Sequence, residues 1–254
     1  MNGRNAAGPV LTVADMCKVR EKAGTRFELR IPAFQAAAGE FVAVVGQSGC
    51  GKSTLLDLLG LVLRPDEARE FSLLPREGKD RATDLRRLPE KMLAALRCRD
   101  IGYVLQTGGL LPYLTVRANI MLPCRLNGYP EGLAERRARS LAVMLGIDGQ
   151  LDKKPAFLSG GQRQRAAIAR ALAHSPRLIL ADEPTAAVDN FTAREIRDIL
   201  KHIAAEQQTA LIMVTHDREL IRGHVDRTVG FAVEKTADGQ VVSTLLEDAA
   251  DGEE

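Results

Sequence analysis

The run Gly46-Gln47-Ser48-Gly49-Cys50-Gly51-Lys52-Ser53-Thr54 brings glycines, hydroxyls and a lysine together at the spacing of a phosphate-binding loop. Glycine lets successive backbone N–H groups turn inward into an anion nest without Cβ clashes. The helix expected to open near Lys52 adds the positive end of its dipole. Lys52 then supplies a mobile charge for β- and γ-phosphates, and Ser53 a hydroxyl for Mg²⁺. Cys50 sits among the same amides, where nearby positive charge favours thiolate. Two readings of it stand side by side: a reactive thiol that bound nucleotide protects, or a small buried residue without reactivity.

A second constellation follows the apolar run Leu178-Ile-Leu-Ala181, which leads straight into Asp182 and Glu183. A buried strand ending in acid puts its carboxylate at the C-terminal edge of a parallel sheet, where doubly wound folds present their ligands. Asp182 is placed to hold Mg²⁺ through water as a hard oxygen ligand. Glu183, one residue on, points elsewhere and can take a proton from an attacking water. Strands often end in solvated acids, so the pair gains its weight from the phosphate loop upstream.

Both motifs need a sheet to hold them. Residues 41–45 are continuously apolar and end at Gly46, as suits a central parallel strand, and a helix is expected over 52–63. Strands at 178–181 and 210–215, separated by a helix over 192–206, have the rhythm of right-handed βαβ units. Residues 11–13 and 27–31 read as short strands of an N-terminal β layer. The polar, Arg-rich stretch 65–89 reads as a surface excursion. Helical patterning covers 91–98 and then 116–146, interrupted near Pro123 and Gly128–Pro130, and reads as a helical insertion. Residues 1–10 and 247–254 read as frayed tails.

Composition narrows the functional classes. At 254 residues the chain suits one α/β domain, and 45% hydrophobic with 27% charged residues is ordinary for a globular protein. Lys+Arg 35 against Asp+Glu 33 leaves a net charge of +2, which is no footprint for nucleic acid or an anionic membrane. No apolar run approaches the roughly 18–20 residues that span a bilayer, and residues 1–10 lack the apolar segment of a signal peptide. A cytoplasmic protein is expected, whose membrane role would need a partner. The 4 cysteines, Cys17, Cys50, Cys98 and Cys124, are scattered, so neither a disulfide framework nor a zinc site is expected.

Leu158-Ser-Gly-Gly-Gln162, followed by an amphipathic helix over 163–173 and the strand carrying Asp182, resembles the signature motif of the ABC (ATP-binding cassette) ATPases. Physically, Ser159, Gly160, Gly161 and Gln162 open a helix toward an anion, a second phosphate site distinct from the first. The resemblance covers most of residues 11–235. It implies an α/β P-loop NTPase fold with a mainly parallel core sheet, an N-terminal antiparallel β layer and a helical subdomain. In that scheme residues 11–90 and 160–235 form the RecA-like core with its β subdomain, 91–159 the helical subdomain, and 236–254 a C-terminal tail.

The same resemblance implies ATP and Mg²⁺ as cofactors, with Lys52, Glu183, Gln106 and His216 in catalysis. Gln106, in Tyr103-Val-Leu-Gln106, would touch Mg²⁺ and sense a membrane partner. His216, after the apolar strand, would contact the γ-phosphate. Asp189, in Thr185-Ala-Ala-Val-Asp189, would cross a dimer interface. The family dimerises head to tail, the signature of one subunit closing over ATP held by the phosphate loop of the other, so a homodimer of this chain would have two complete sites. Lys52, Mg²⁺ and the two helix ends would then stabilise charge developing on the transferred phosphoryl group.

Departures from the family pattern are confined to the periphery. The aromatic that stacks on adenine has no counterpart in 19–22, and Phe27 falls late, which implies weaker affinity or relaxed base preference. Val188 stands where leucine is usual, and 64–78 lacks the glycine turn of a hairpin. Gly108–Ile120, with Leu58-Leu59-Gly60-Leu61, resembles the lipoprotein-release, macrolide-export and cell-division branch. The function implied is an ATP-hydrolysing subunit powering a separate transmembrane permease from the inner face of the cell membrane. The alternatives are a regulator of envelope or division machinery built on the same cassette, and a soluble ABC protein.

Overall fold

A computed structural model describes residues 9–22, 25–75, 82–186, 188–236 and 240–247. In chain order, β1 (Leu11–Lys22) and β2 (Thr25–Ala36) form a hairpin, followed by β3 (Phe41–Val45), α1 (Lys52–Leu59), β4 (Glu70–Leu73), β5 (Thr83–Asp84), α2 (Glu90–Asp100) and β6 (Ile101–Val104). Helices α3 (Val116–Leu126), α4 (Glu131–Met144) and α5 (Gly160–Leu172) come next. Then β7 (Leu178–Asp182), α6 (Asn190–Gln207), β8 (Ala210–Thr215) and α7 (Arg218–Ile221) lead to β9 (Arg227–Lys235) and β10 (Val241–Glu247). Among the described residues the strands form a single 10-stranded mixed sheet in the order β5-β4-β1-β2-β10-β9-β3-β8-β7-β6.

The apolar run of β3 has a two-faced explanation. Phe41, Ala43 and Val45 enter one buried cluster with Ile196 and Leu200 of α6 and Ile168 of α5. Val42 and Val44 enter the other, with Leu55, Leu56, Leu58 and Leu59 of α1. A strand covered on both faces carries no polar position, and β3 pairs in parallel with β8 and β9. Each α1 leucine is fully buried and contributes about 1.5–3 kcal/mol. The phosphate loop is therefore fixed at both ends, by a strand and a helix sealed into the core. The helix stops at Leu59, short of the expected 63, because Leu61 turns left-handed at φ 59°.

Several segments join the sheet where the residue pattern alone pointed elsewhere. The N-terminal strands are 12 residues each, not short, and their outer halves are held by ion pairs such as Lys18–Asp66 at 2.7 Å. Within the excursion, β4 pairs antiparallel with β1 and buries Phe71 and Leu73. Within 91–159, β6 pairs in parallel with β7 at the sheet edge, while α3 and α4 pack on α5. α3 runs on through Pro123. β10, in the stretch read as a tail from 236, lies between β2 and β9 and buries Ser243 and Leu245. The readings of residues 1–8, 76–78 and 248–254 lie outside the described residues.

Candidate functional site

The ends of β3, β6 and β7 and the start of α1 surround a cleft of about 760 Å³. Its walls are Ser48, Gly49 and residues 51–54 of the phosphate loop, then Gln106, Asp182 and Glu183, together with Arg20 and Phe27. Gly49 and Gly51 take φ 84° and 108°. A Cβ on Gly51 would stand 2.9 Å from Phe27 Cζ, so the loop can pass beneath that ring only as glycine. Lys52 Nζ donates to the carbonyls of Gly46 at 2.7 Å and Gln47 at 2.9 Å. The ammonium thus rests on the loop's own backbone, within a short swing of the cleft.

Cys50 resolves in favour of the buried reading. It is 4% exposed, and its Sγ lies against Gly46, 2.6 Å from where a Cβ there would be. Burial pushes its thiol pKa up, and the pull of Lys52 does not outweigh that. The side chain turns into the core while its backbone stays in the loop, and burial outweighs the backbone N–H groups of Cys50 and Lys52 that favour thiolate.

At the acidic wall, Asp182 closes β7 in register with Val214 of β8. Its carboxyl pKa is raised, first by burial and then by the charges of Glu183 and Asp57, with Lys52 opposing. Burial raises the carboxyl pKa of Asp57 as well, so two acids here are short of positive charge, an environment that suits a hard divalent cation. Glu183 is held at φ 42°, a left-handed conformation rare for a side-chain-bearing residue. Its N–H donates to Val214 O at 3.0 Å, and its Oε2 lies 3.2 Å from Nδ1 of His216 just beyond β8. In this conformation the carboxylate reaches the histidine.

Gln106 leaves β6 on a loop whose Gly108 and Gly109 both have positive φ, 75° and 57°. The structure therefore brings the phosphate loop, Gln106, Asp182, Glu183 and His216 together. Ser159–Gln162 and Asp189 are not among the cleft's lining residues. They form a second cluster. Ser159 Oγ accepts from Gln162 N at 3.2 Å while Gln162 Oε1 accepts from Ser159 N at 3.0 Å, a reciprocal cap at the start of α5. A Cβ on Gly161 would lie 3.4 Å from Thr192, whose N–H and hydroxyl both bond the carboxylate of Asp189 and hold its pKa low. Residue 187, between Thr185 and Asp189, lies outside the described residues.

Phe27 and Arg20 are the residues the sequence reading did not place. They face each other across the β1–β2 hairpin. Arg20 also approaches Asp57 of α1 at 3.9 Å. A search for an aromatic within 19–22 misses a ring that the hairpin brings back opposite residue 20. Pairing the two strands in register would have found it.

A family model described as ABC transporter matches residues 29–186. The chain belongs to the ABC transporter family. Among its relatives, an uncharacterized ABC transporter ATP-binding protein from Thermotoga maritima is 39% identical over 84% of this chain and 87% of that protein. The lipoprotein-releasing system ATP-binding protein LolD of Aquifex aeolicus is 44% identical over 72% of the chain and 77% of its own length. The macrolide export ATP-binding/permease protein MacB 2 of Aeromonas hydrophila is 44% identical over 76% of the chain, which spans 28% of that longer protein. A solved dimer of the ATP-binding cassette MJ0796, in a post-hydrolysis state with ADP and Pi, superposes with a TM-score of 0.76 at 31% identity, covering 91% of this chain and 96% of that one.

The ABC cassette is thus an ATP-binding and ATP-hydrolysing unit whose relatives include LolD and MacB. Among its described residues no helix is long and apolar enough to cross a membrane.

Proposed function

We propose that two copies of this cassette close head to tail around ATP and drive a separate membrane permease from the cytoplasmic face of the membrane. The observation that supports this reading is the separation of two helix starts, each rich in glycine and hydroxyl residues. One opens into the cleft at Lys52, and the other, at Ser159–Gln162, lies outside it. A single chain leaves both half-built, and a twofold pair completes both.

In this reading the phosphate-loop amides from Gln47 to Thr54 cradle the phosphates, and Lys52 leaves the Gly46 and Gln47 carbonyls for the β- and γ-oxygens. Ser53, Gln106 and, through water, Asp182 hold Mg²⁺, which when bound offsets charge on the phosphates. Glu183, steadied by His216, accepts a proton from water as the water oxygen attacks the γ-phosphorus. The bond to the β–γ bridging oxygen breaks and ADP departs. Ser159, Gly160, Gly161 and Gln162 of the second copy face the γ-phosphate, and Asp189 lies at the same interface. Phe27, with Arg20 beside it, receives the base.

The test is gel filtration of Glu183→Gln in ATP and Mg²⁺, alongside wild-type ATPase activity measured against protein concentration. An ATP-locked dimer with negligible turnover, and a wild-type specific activity that climbs with concentration, are expected. A Glu183→Gln protein that stays monomeric, with a wild-type specific activity independent of concentration, refutes the composite site.

A further inference from the structure

Arg170, on the buried side of α5, has no role in the chemistry described above. Its Nη1 donates to Gly109 O at 2.6 Å and its Nη2 to Gly108 O at 3.1 Å. Burial lowers its pKa, and among the described residues the guanidinium is held by these two carbonyls without a carboxylate. Leaving a cation desolvated without a carboxylate is unfavourable unless its hydrogen bonds are well made. The carbonyls can point at Arg170 because both glycines take left-handed backbones.

The loop after Gln106 lies along one stripe of α5. A Cβ on Gly108 would meet Ala167 Cβ at 3.5 Å, Arg163 O at 3.6 Å and Gln164 Oε1 at 3.7 Å. Residues 163, 167 and 170 share a helix face, being separated by four and three positions. Arg163 in turn donates to Leu158 O at 2.5 Å, immediately before the Ser159 cap. Farther along the loop, Asn119 of α3 accepts from Leu111 N at 2.7 Å and donates to the carbonyls of Leu111 and Thr115 at 3.1 and 3.0 Å. Between these two anchors the loop has little slack.

We infer that Arg170 is a positioning residue that makes the Gln106 loop and the Ser159–Gln162 start move as one body, so that each subunit passes the state of its own nucleotide to the site it completes in its partner. The inference rests on the head-to-tail reading above. Gln106 lines the cleft of its own chain, whereas the Ser159 cap serves the other. A rigid stripe from Gly108 to Leu158 is the physical link between them, and Arg170 is its strongest fastening to the loop.

The experiment uses Arg170→Met in wild-type and Glu183→Gln backgrounds, and reads three quantities. Affinity of the dilute protein for ATP with Mg²⁺, measured by equilibrium dialysis, is expected to stay within about two-fold, because the phosphate loop is untouched. Turnover and the propensity of the Glu183→Gln form to dimerise in ATP are both expected to fall about ten-fold or more, the scale of one hydrogen bond to a charged donor. Arg170→Lys keeps the cation and can reach one carbonyl. It is expected to fall between, and it gives the same ordering if Arg170→Met folds poorly. Dimerisation and turnover at parental levels in both variants overturn the inference, as does a parallel loss of ATP affinity, which would make Arg170 a support of the cleft alone. A Glu183→Gln parent that fails to dimerise in ATP refutes the head-to-tail reading instead.

Discussion

Glu183 carries a backbone strain whose size can be isolated. At φ 42° its side chain crowds the following carbonyl, at a cost of about 1–2 kcal/mol for a residue with a Cβ. Relaxation is blocked on both sides, because its N–H is bonded to Val214 O at 3.0 Å and its carbonyl accepts from Ala186 N at 3.1 Å. Glycine removes the crowding but loses roughly 0.5–1 kcal/mol more chain entropy than alanine on folding. Glu183→Gly should therefore be more stable than Glu183→Ala by about 0.5–1 kcal/mol, although glycine is ordinarily the poorer residue. For a chain of this size that is about 1–4 °C in melting temperature. Thermal unfolding of the two variants without nucleotide, repeated with urea midpoints, measures the difference directly, since both lack the side chain. ATPase activity should be lost in both. An alanine variant as stable as the glycine variant, or more so, would mean that the backbone here is unstrained and that the aim of the carboxylate toward His216 has another cause.

Other perturbations test separate parts of the site. Asp182 binds its proton more tightly folded than unfolded, so the stability it contributes is present at low pH and is lost as pH rises through its raised pKa. Asp182→Asn should stabilise the nucleotide-free protein above that point and flatten the corresponding part of a urea-midpoint series taken from about pH 4 to 8, while abolishing hydrolysis. Cys50 should resist N-ethylmaleimide in the native protein while the partly exposed Cys17 and Cys98 react. Peptide mass mapping reads this, and fast labelling of Cys50 that ATP prevents would return its thiol to the cleft. Phe27→Ala should weaken ATP binding by about 5- to 150-fold, the range of about 1–3 kcal/mol for base–aromatic stacking, with turnover at saturation kept; an unchanged affinity would place the base elsewhere.

What was legible in the residues was whatever depends on neighbours in sequence. The phosphate loop, the Ser159–Gln162 cap and the Asp182–Glu183 strand end are each set by a few consecutive residues whose backbone geometry follows from their types. What was not legible depends on register or on direction. Phe27 reaches the cleft because it pairs with Arg20 across a hairpin, and no local pattern shows that. β10 enters the sheet because β2 and β9 leave a gap that fits Val241–Glu247. Cys50 has the right neighbours for a reactive thiol, but its Cα–Cβ bond points at Gly46. Arg170 reads as the polar face of an amphipathic helix, and only the path of the Gly108–Gly109 loop turns it into an internal fastening.

The charges of the cleft impose an order on its ligands. Asp57, Asp182 and Glu183 stand near one another, with Lys52 committed to the Gly46 and Gln47 carbonyls and Arg20 drawn toward Asp57. Free ATP would bring more negative charge to a wall that already holds two carboxylates, Asp57 and Asp182, above their ordinary pKa. A bare divalent cation would find the acids but no phosphates to share with them, and Mg²⁺ surrenders its waters reluctantly to protein groups alone. The magnesium–ATP complex meets both needs at once. In the proposed reading Lys52 would leave the Gly46 and Gln47 carbonyls for the phosphates, and a bound cation would offset the acids that burial disfavours. In the head-to-tail reading, the ligand that neutralises these acids is also the one whose γ-phosphate the second copy's Ser159 start would close upon.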